Sequence, residues 1–188
     1  MSVIKKHIST LLIASLLMSP LANARTKHHQ PVKRSLTVPR AFRVIARECH
    51  VPAKHLYAIA LTETETKLKN GHSSPWTWTI NYRGKSYFYP DRKSLYAAAN
   101  KLLRHKHRLF DVGIMQVNWR WHHHRVNSLW ALTSPETNIR VACEIYKEGY
   151  RVRGNWVDAA GYYHNPSFSK DTRSYVRRYR EKLASIHY

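Results

Sequence analysis

The segment Leu56-Tyr-Ala-Ile-Ala-Leu-Thr-Glu63 decides the fold, because it predicts a helix that carries one carboxylate on its apolar side. The pair Val51-Pro52 precedes it. Since proline is tolerated in a first helical turn, we expect the helix to begin there and to run to about Leu68. The residues of its apolar face follow helical spacing and are Leu56, Ile59, Ala60 and Glu63.

Among the 11 acidic side chains of the chain, Glu63 is distinguished by its position in the middle of an apolar face. Burial disfavours a charged carboxylate and raises its pKa, which is the property that a general acid needs near neutral pH. Glu65 lies close to the opposite face and is expected to be solvated. The alternative is that Glu63 pairs with an arginine or caps a neighbouring loop.

Elsewhere the chain combines helical patterns with one β-hairpin. Residues 76–82 alternate apolar with polar side chains, the pair Arg83-Gly84 offers a turn, and residues 85–89 are rich in aromatics. Residues 110–118 predict a glycine-containing loop or the start of a short helix. Apolar side chains at helical spacing predict further helices over residues 41–50, 91–108, 135–151, 155–163 and 171–186. The predicted fold class is therefore mainly α with one small β-hairpin.

The first 24 residues resemble a signal peptide. Lys5 and Lys6 form a basic start, residues 8–21 are mostly apolar, and Ala22-Asn23-Ala24 supplies the small residues of a cleavage site. An uncleaved N-terminal anchor is the alternative, although the apolar stretch is short for a spanning helix. We therefore expect an exported, periplasmic protein that is not integral to the membrane after cleavage.

Two regions follow the predicted signal peptide. Residues 25–40 are basic and contain two prolines, which predicts a flexible lead-in that either tethers the protein electrostatically or is a solvated tail with no role. Residues 41–188 have the size of one domain.

The formal net charge of +21 over 188 residues implies an anionic partner. Nucleic acid is the commonest one, but export leads away from it. Outside the cytoplasm the anionic polymers are cell-wall glycopeptide and lipopolysaccharide. We therefore expect no nucleic-acid partner. A mature chain that stays uncleaved in the cytoplasm would restore the nucleic-acid-binding alternative.

The chain offers one cysteine pair and no recognisable metal motif. Cys49 and Cys143 allow a single intramolecular pairing, which export favours; two buried, reduced thiols are the alternative. The run His122-His123-His124 does not predict a metal site, because three consecutive side chains point in different directions. The sequence also lacks a Gly-rich phosphate loop and a Gly-x-Ser-x-Gly motif, so we expect no cofactor and no metal.

Three segments resemble one family in their order and spacing. They are Leu56–Glu63, Asp111-Val-Gly-Ile-Met-Gln-Val-Asn118 and Asp158-Ala-Ala-Gly-Tyr-Tyr-His-Asn-Pro166. Over roughly residues 41–165 they resemble the lytic transglycosylases with a soluble-transglycosylase-type (SLT), lysozyme-like domain. Two further stretches, Pro75-Trp-Thr-Trp-Thr-Ile80 and Val117-Asn-Trp-Arg-Trp-His122, resemble the small transglycosylases that accompany conjugative-transfer and secretion machines.

The resemblance implies a lysozyme-like fold and a lyase that cuts the glycan strands of peptidoglycan. Glu63 would protonate the oxygen of the β-1,4 bond between N-acetylmuramic acid and N-acetylglucosamine. It would then take the proton of the muramic acid C6 hydroxyl, which closes a 1,6-anhydro ring. Gln116 would hydrogen-bond substrate or Glu63, and Tyr163 would orient Glu63 through its hydroxyl. Met115 would pack beneath a sugar, and Asn118 would support the loop.

Several alternatives stay open beside these implied roles. Met115 has core packing as its alternative, and Tyr163 a purely structural role. Thr64 stands where the family usually has serine, and His164 where asparagine is common, so the contact made by His164 is open. The implied partners are peptidoglycan strands and a conjugation or secretion apparatus, with the chain acting as a monomer. A goose-type lysozyme hydrolase and a non-catalytic wall-binding factor are the alternative functions.

Overall fold

The computed structural model describes residues 36–67, 73–167 and 169–187, and the predicted signal peptide lies outside them. The described chain is mostly helical, which confirms the mainly α prediction. The helices are α1 (Arg40–Cys49), α2 (Ala53–Thr64), α3 (Arg92–Arg104), α4 (Trp119–His122), α5 (Leu129–Leu132), α6 (Pro135–Arg153), α7 (Trp156–His164) and α8 (Lys170–Ser185), with a 3-10 turn at His123–Arg125. None of the helices in these ranges is both long and apolar enough to cross a bilayer.

Short strands accompany the helices in three small sheets. They are β1 (Leu36–Thr37), β2 (Glu65–Lys67), β3 (Ser73–Pro75), β4 (Thr79–Tyr82), β5 (Lys85–Phe88), β6 (Asp111–Val112), β7 (Val117–Asn118) and β8 (Ile186–His187). The largest sheet has four antiparallel strands in the order β5-β4-β6-β7. The prediction of a single β-hairpin was therefore wrong, although the β4–β5 hairpin itself is present with its turn at Arg83-Gly84.

Helix α2 lies at the centre of the core. Six consecutive residues, 56–61, are buried, so the helix is enclosed on every side rather than along one apolar stripe. Helices α1 and α8 and strand β3 pack around it. It ends at Thr64, earlier than predicted, because the backbone becomes extended at Glu65 and β2 then pairs with β3.

Helix α6 forms the second long element of the core. It begins with Pro135 in its first turn and ends at Gly154, whose φ of 74° places it in the left-handed region that favours glycine. Helices α1, α5 and α7 pack against it, and α7 and α8 pack against each other. Because α8 also packs against α2, Tyr175 and Arg178 of α8 lie near Glu63.

The two ends of the described domain pair with each other. Strands β1 and β8 are parallel, with Leu36 opposite Ile186 and Thr37 opposite His187. Ile186 in β8 and Val38, the residue directly after β1, are both buried in the core. Residues 36–38, which belong to the predicted lead-in, thus contact the folded part of the chain.

A disulfide joins α1 to α6. Cys49 at the end of α1 is bonded to Cys143 in the middle of α6, with their Cα atoms 6.4 Å apart, inside the usual range for disulfides. The two cysteines are 94 residues apart in sequence. A bond that closes so long a loop restricts the unfolded chain strongly.

We expect the double variant Cys49→Ser/Cys143→Ser to have a free energy of unfolding lower by about 2–4 kcal/mol, because the unfolded chain regains the freedom of the long loop. Urea unfolding of oxidised wild type and variant measures the difference. Wild type unfolded with a reducing agent is the matched control and should approach the variant. Identical midpoints in all three experiments would contradict a stabilising bond.

Candidate active site

Glu63 lies in the last turn of α2, where the buried helix reaches the surface. The residue is partly exposed, but its carboxyl group is surrounded by protein and has lost most of its water. This burial raises the pKa of Glu63 to about 8, with a smaller upward contribution from the Asp111 carboxylate. The nearby Tyr175 hydroxyl and the charge of Arg178 act in the opposite direction and lower this pKa. Glu63 is therefore mostly protonated at neutral pH, as a general acid must be.

Tyr175 on α8 lies beside the Glu63 carboxyl group. Its hydroxyl is buried and has no hydrogen-bond partner of normal geometry among the described residues, yet it lies close enough to Glu63 to lower the pKa of that carboxyl. The His164 ring stacks on the Tyr175 ring with centroids 4.3 Å apart and planes inclined by 6°. The tyrosine is thus held in place and can stabilise a carboxylate when Glu63 loses its proton.

The loop of residues 113–116 joins β6 to β7 and lies beside the end of α2. Thr64 is buried, and its hydroxyl lies 2.9 Å from the carbonyl oxygen of Ile114 and 3.1 Å from that of Ala60. The residue after Glu63 therefore ties the helix end to the loop. The hydroxyl that Thr64 shares with serine makes this contact.

Asn138 on α6 fixes the same loop through hydrogen bonds to its backbone and to neighbouring carbonyl oxygens. It is fully buried, accepts a hydrogen bond from the Met115 backbone N–H at 2.9 Å, and donates to the carbonyl oxygens of Val112 and Leu132. A Cβ atom on Gly113 would lie 2.5 Å from the Asn138 side chain, and the φ of Gly113 is +84°. Glycine is therefore required where the loop passes over Asn138.

The structure places Met115 and Tyr163 differently from the expected roles. Met115 has no exposed surface and belongs to the hydrophobic core, so it cannot pack beneath a sugar in this conformation, and the core-packing alternative describes it. The Tyr163 hydroxyl donates to the Met115 carbonyl oxygen at 2.7 Å and so fixes the loop. Tyr163 still lies near Glu63. Burial is the main cause that raises the pKa of Tyr163, and the charge of Glu63 is the second. The tyrosine that acts on the Glu63 carboxyl is Tyr175.

Gln116 is the last residue of the loop between β6 and β7, and Asn118 lies in β7. The Gln116 amide nitrogen Nε2 donates to the Gly113 carbonyl oxygen at 2.8 Å and to the Thr79 hydroxyl at 3.0 Å, which fixes a side chain on left-handed backbone (φ 49°). Asn118 donates from Nδ2 to Asp111 Oδ1 at 2.7 Å. Asn118 thus supports the strand pair that carries the loop.

Asp111 is a second carboxyl group near Glu63. Burial raises its pKa, while the hydrogen bond from Asn118 acts in the opposite direction. Its charge also raises the pKa of Glu63, so the two groups belong to one electrostatic environment. Neither Asp111, Asn138 nor Tyr175 was singled out as a site residue from the sequence.

The other residues considered in the sequence analysis, the histidine run and Glu65, lie outside the group of residues around Glu63. His122 accepts a hydrogen bond from Arg125 and its pKa is lowered to about 4, first by burial and then by the Arg125 charge. His123 contacts the Trp119 carbonyl oxygen. Among the described ranges, no group of three or more His, Cys, Asp or Glu side chains is arranged to hold a metal ion. Glu65 forms an ion pair with Lys182 of α8, so the expectation that it is simply solvated was wrong.

The raised pKa of Glu63 predicts a pH-dependent stability difference between wild type and Glu63→Gln. The ordinary pKa of the carboxyl is 4.5, which applies to the unfolded chain, whereas the folded value is about 8. Between these values the folded state keeps a proton that the unfolded state has lost. The contribution of Glu63 to stability is therefore fully present below pH 4.5 and is lost as the pH rises to about 8.

We expect wild type to lose about 3–4 kcal/mol of unfolding free energy relative to Glu63→Gln as the pH rises from about 5 to about 8. Urea unfolding of both proteins at several pH values measures this difference. Parallel pH profiles would show that the folded carboxyl ionises at its ordinary pKa.

Comparisons with protein-family models, with curated proteins and with solved structures give no match. The resemblance to lytic transglycosylases therefore rests on the three sequence segments. The geometry around Glu63 is a separate observation, because it follows from packing and burial. Thr64, directly after the first segment, contacts Ile114 of the second, and Tyr163 of the third contacts Met115 of the second.

Proposed function

We propose that this chain is a peptidoglycan lytic transglycosylase with a lysozyme-like fold, in which Glu63 is the general acid and base. The observation that carries the proposal is the desolvated Glu63 carboxyl, with a pKa of about 8, at the open end of a buried helix. A carboxylic acid that stays protonated at neutral pH can donate a proton to a glycosidic oxygen. A protein that only binds the wall has no need of such a group.

The reaction divides into two proton transfers by the same side chain. Protonated Glu63 gives its proton to the oxygen between N-acetylmuramic acid and N-acetylglucosamine, the C1–O bond of the muramic acid breaks, and the N-acetylglucosamine leaves as an alcohol. Positive charge at C1 is stabilised by the substrate's own N-acetyl group, a known exception to the use of two carboxylates. The Glu63 carboxylate then takes the proton of the C6 hydroxyl, whose oxygen bonds to C1 and closes the 1,6-anhydro ring.

Tyr175 and the loop of residues 113–116 support these transfers. The nearby Tyr175 hydroxyl favours the carboxylate form of Glu63 between the two steps, because it lowers the pKa of that group. The contacts of Thr64, Asn138 and Tyr163 hold the loop rigidly beside Glu63. Gln116 lies partly exposed on this loop, in a position to meet substrate.

Product analysis of digested cell-wall sacculi tests the proposal. Mass spectrometry should detect muropeptides that end in 1,6-anhydro-N-acetylmuramic acid after incubation with wild type and none after incubation with Glu63→Gln. The absence of any glycan cleavage by folded wild type would refute the enzyme and favour a wall-binding factor.

A goose-type hydrolase is the second candidate, and Asp111 is the observation that favours it. This second carboxyl shares the electrostatic environment of Glu63 and lies on a groove, where its carboxylate could orient a water molecule for attack on C1. Reducing ends instead of anhydro ends among the products would identify hydrolysis. Asp111→Asn would then abolish cleavage, whereas a transglycosylase should retain it in part.

We also propose an exported, periplasmic enzyme that opens the wall for a conjugation or secretion apparatus. This rests on the signal-like residues 1–24 and on the resemblance of the β4 and β7 regions to transglycosylases of such machines. Cell fractionation tests the location: recovery of an uncleaved chain in the cytoplasm would overturn it.

A further inference from the structure

A groove of about 530 Å³ opens beside the candidate active site. The tip of the β4–β5 hairpin forms one wall, residues 106–110 form another, and Asp111, Asn118 and Arg120 complete it. Four cationic side chains line this basic groove, as it is called from here on: Arg83, Lys106, Arg108 and Arg120.

The cations of the basic groove lack carboxylate partners. All four are exposed, and no ion pair joins any of them to an Asp or Glu among the described residues. The Arg83 and Arg120 guanidinium groups lie over neighbouring aromatic rings instead. The one carboxylate in the lining, Asp111, is engaged by the neutral Asn118. The groove therefore has a net positive charge that an anion would neutralise.

A second groove in the same protein shows the opposite arrangement. It lies beside the disulfide, and its basic side chains face the carboxylates of Glu48, Glu144 and Glu148. Arg125 and Arg140 form ion pairs with these groups. The second groove thus contains cations paired with carboxylates, whereas those of the basic groove form no such ion pair among the described residues.

Two of the four cationic residues have a left-handed backbone conformation. Arg83 has a φ of 53° and Lys106 a φ of 60°, both in the left-handed region where glycine or asparagine is favoured. The β4–β5 turn and the chain reversal after α3 account for this backbone, and they place both side chains in the lining of the groove.

The basic groove adjoins the proposed site of cleavage. Asp111 lines the groove and also acts electrostatically on Glu63, so the two regions share a wall. The sugar rings of a peptidoglycan strand are uncharged. The anions nearest to a scissile bond are the carboxylates of the stem peptide, which is attached through the lactyl group at C3 of the muramic acid that reacts.

We propose that the basic groove binds the carboxylates of this stem peptide and so selects peptide-bearing strands over bare glycan. The inference rests on the proposed function, because it takes peptidoglycan as the ligand of the neighbouring site. Arg83 and Arg108 hold the peptide carboxylates through charge-assisted hydrogen bonds. Lys106 and Arg120 add to the positive potential of the groove.

Binding measured in the Glu63→Gln protein tests the inference without any turnover. The ligands are fluorescently labelled soluble strands of three kinds: with native stem peptides, with their peptide carboxylates converted to amides, and with the peptides removed by an amidase. At fixed ionic strength we expect native strands to bind about tenfold more tightly than amidated or bare strands. Adding Arg83→Gln and Arg108→Gln should remove most of that preference.

A matched control corrects for the high overall charge. Arg47→Gln/Arg151→Gln removes the same charge from exposed arginines of α1 and α6 and should leave the preference intact. Equal binding of native and amidated strands, or an equal loss in the control, would overturn the inference. Thermal melts of each variant confirm that it is folded.

Cleavage by the wild type separates this inference from the proposed function. If wild type cuts all three kinds of strand equally and the binding preference is absent, the peptide site is refuted and the transglycosylase stands. If wild type cuts none of them and the binding preference persists, the enzyme is refuted and the peptide-binding groove stands.

Discussion

Replacement of Glu63 by glutamine is expected to lower glycan cleavage at least about a thousandfold. The amide has the shape of the protonated acid but can neither give up a proton to the glycosidic oxygen nor accept one from the C6 hydroxyl. The fold should persist, because the native side chain is itself mostly neutral at pH 7. Release of soluble muropeptides from sacculi, followed over time, measures the effect, and co-sedimentation with sacculi should be retained.

Glu65→Gln is the matched control for this variant. Glu65 lies two residues away and is engaged by Lys182 in a partly exposed ion pair, so its loss should cost little in stability and little in activity. A Glu63→Gln protein that still cleaves at the wild-type rate would remove Glu63 from the mechanism. A large loss in Glu65→Gln would transfer the acid to that residue.

Asn138→Leu is expected to have the second largest effect, although Asn138 is on α6 and not on the loop that it holds. Leucine fills the volume but leaves the Met115 N–H and the carbonyl oxygens of Val112 and Leu132 without their partner. Buried backbone groups without partners are costly, so the free energy of unfolding should fall by about 3–5 kcal/mol. Because the loop beside Glu63 loses its support, cleavage should also fall about a hundredfold.

Two measurements on Asn138→Leu separate these consequences. Urea unfolding gives the stability, and muropeptide release at a temperature where the variant is fully folded gives the activity. Asn127→Leu makes the same chemical change at an exposed position and should alter neither quantity. Full activity in folded Asn138→Leu would mean that the loop does not need this support.

Most helices could be predicted from the sequence because their apolar spacing is long and regular. Helices α1, α2, α6, α7 and α8 begin or end within a few residues of the expected positions. The four-stranded sheet could not, because β6 and β7 have two residues each and show no alternation. Their pairing depends on β4, which is distant in sequence, and on the loop contacts of Asn138.

The candidate site likewise contains residues that the sequence could predict and residues that it could not. Glu63 stood out because a carboxylate in an apolar helix is a local signal. Tyr175 is also on an apolar face, where a tyrosine attracts no notice until its hydroxyl meets a carboxyl group 112 positions earlier in the chain. Asn138 did carry a usable signal, since it lies one helical turn before Ala142 on the buried face of α6.

The pairing of β1 with β8 has a consequence for how the protein can be rearranged. Since Leu36 and Ile186 are neighbours in one two-stranded sheet, a short linker could connect them and new ends could be opened at the exposed Arg83-Gly84 turn. Such a circular permutant would keep Tyr175 beside Glu63, whereas a chain truncated before α8 would leave the acid uncovered.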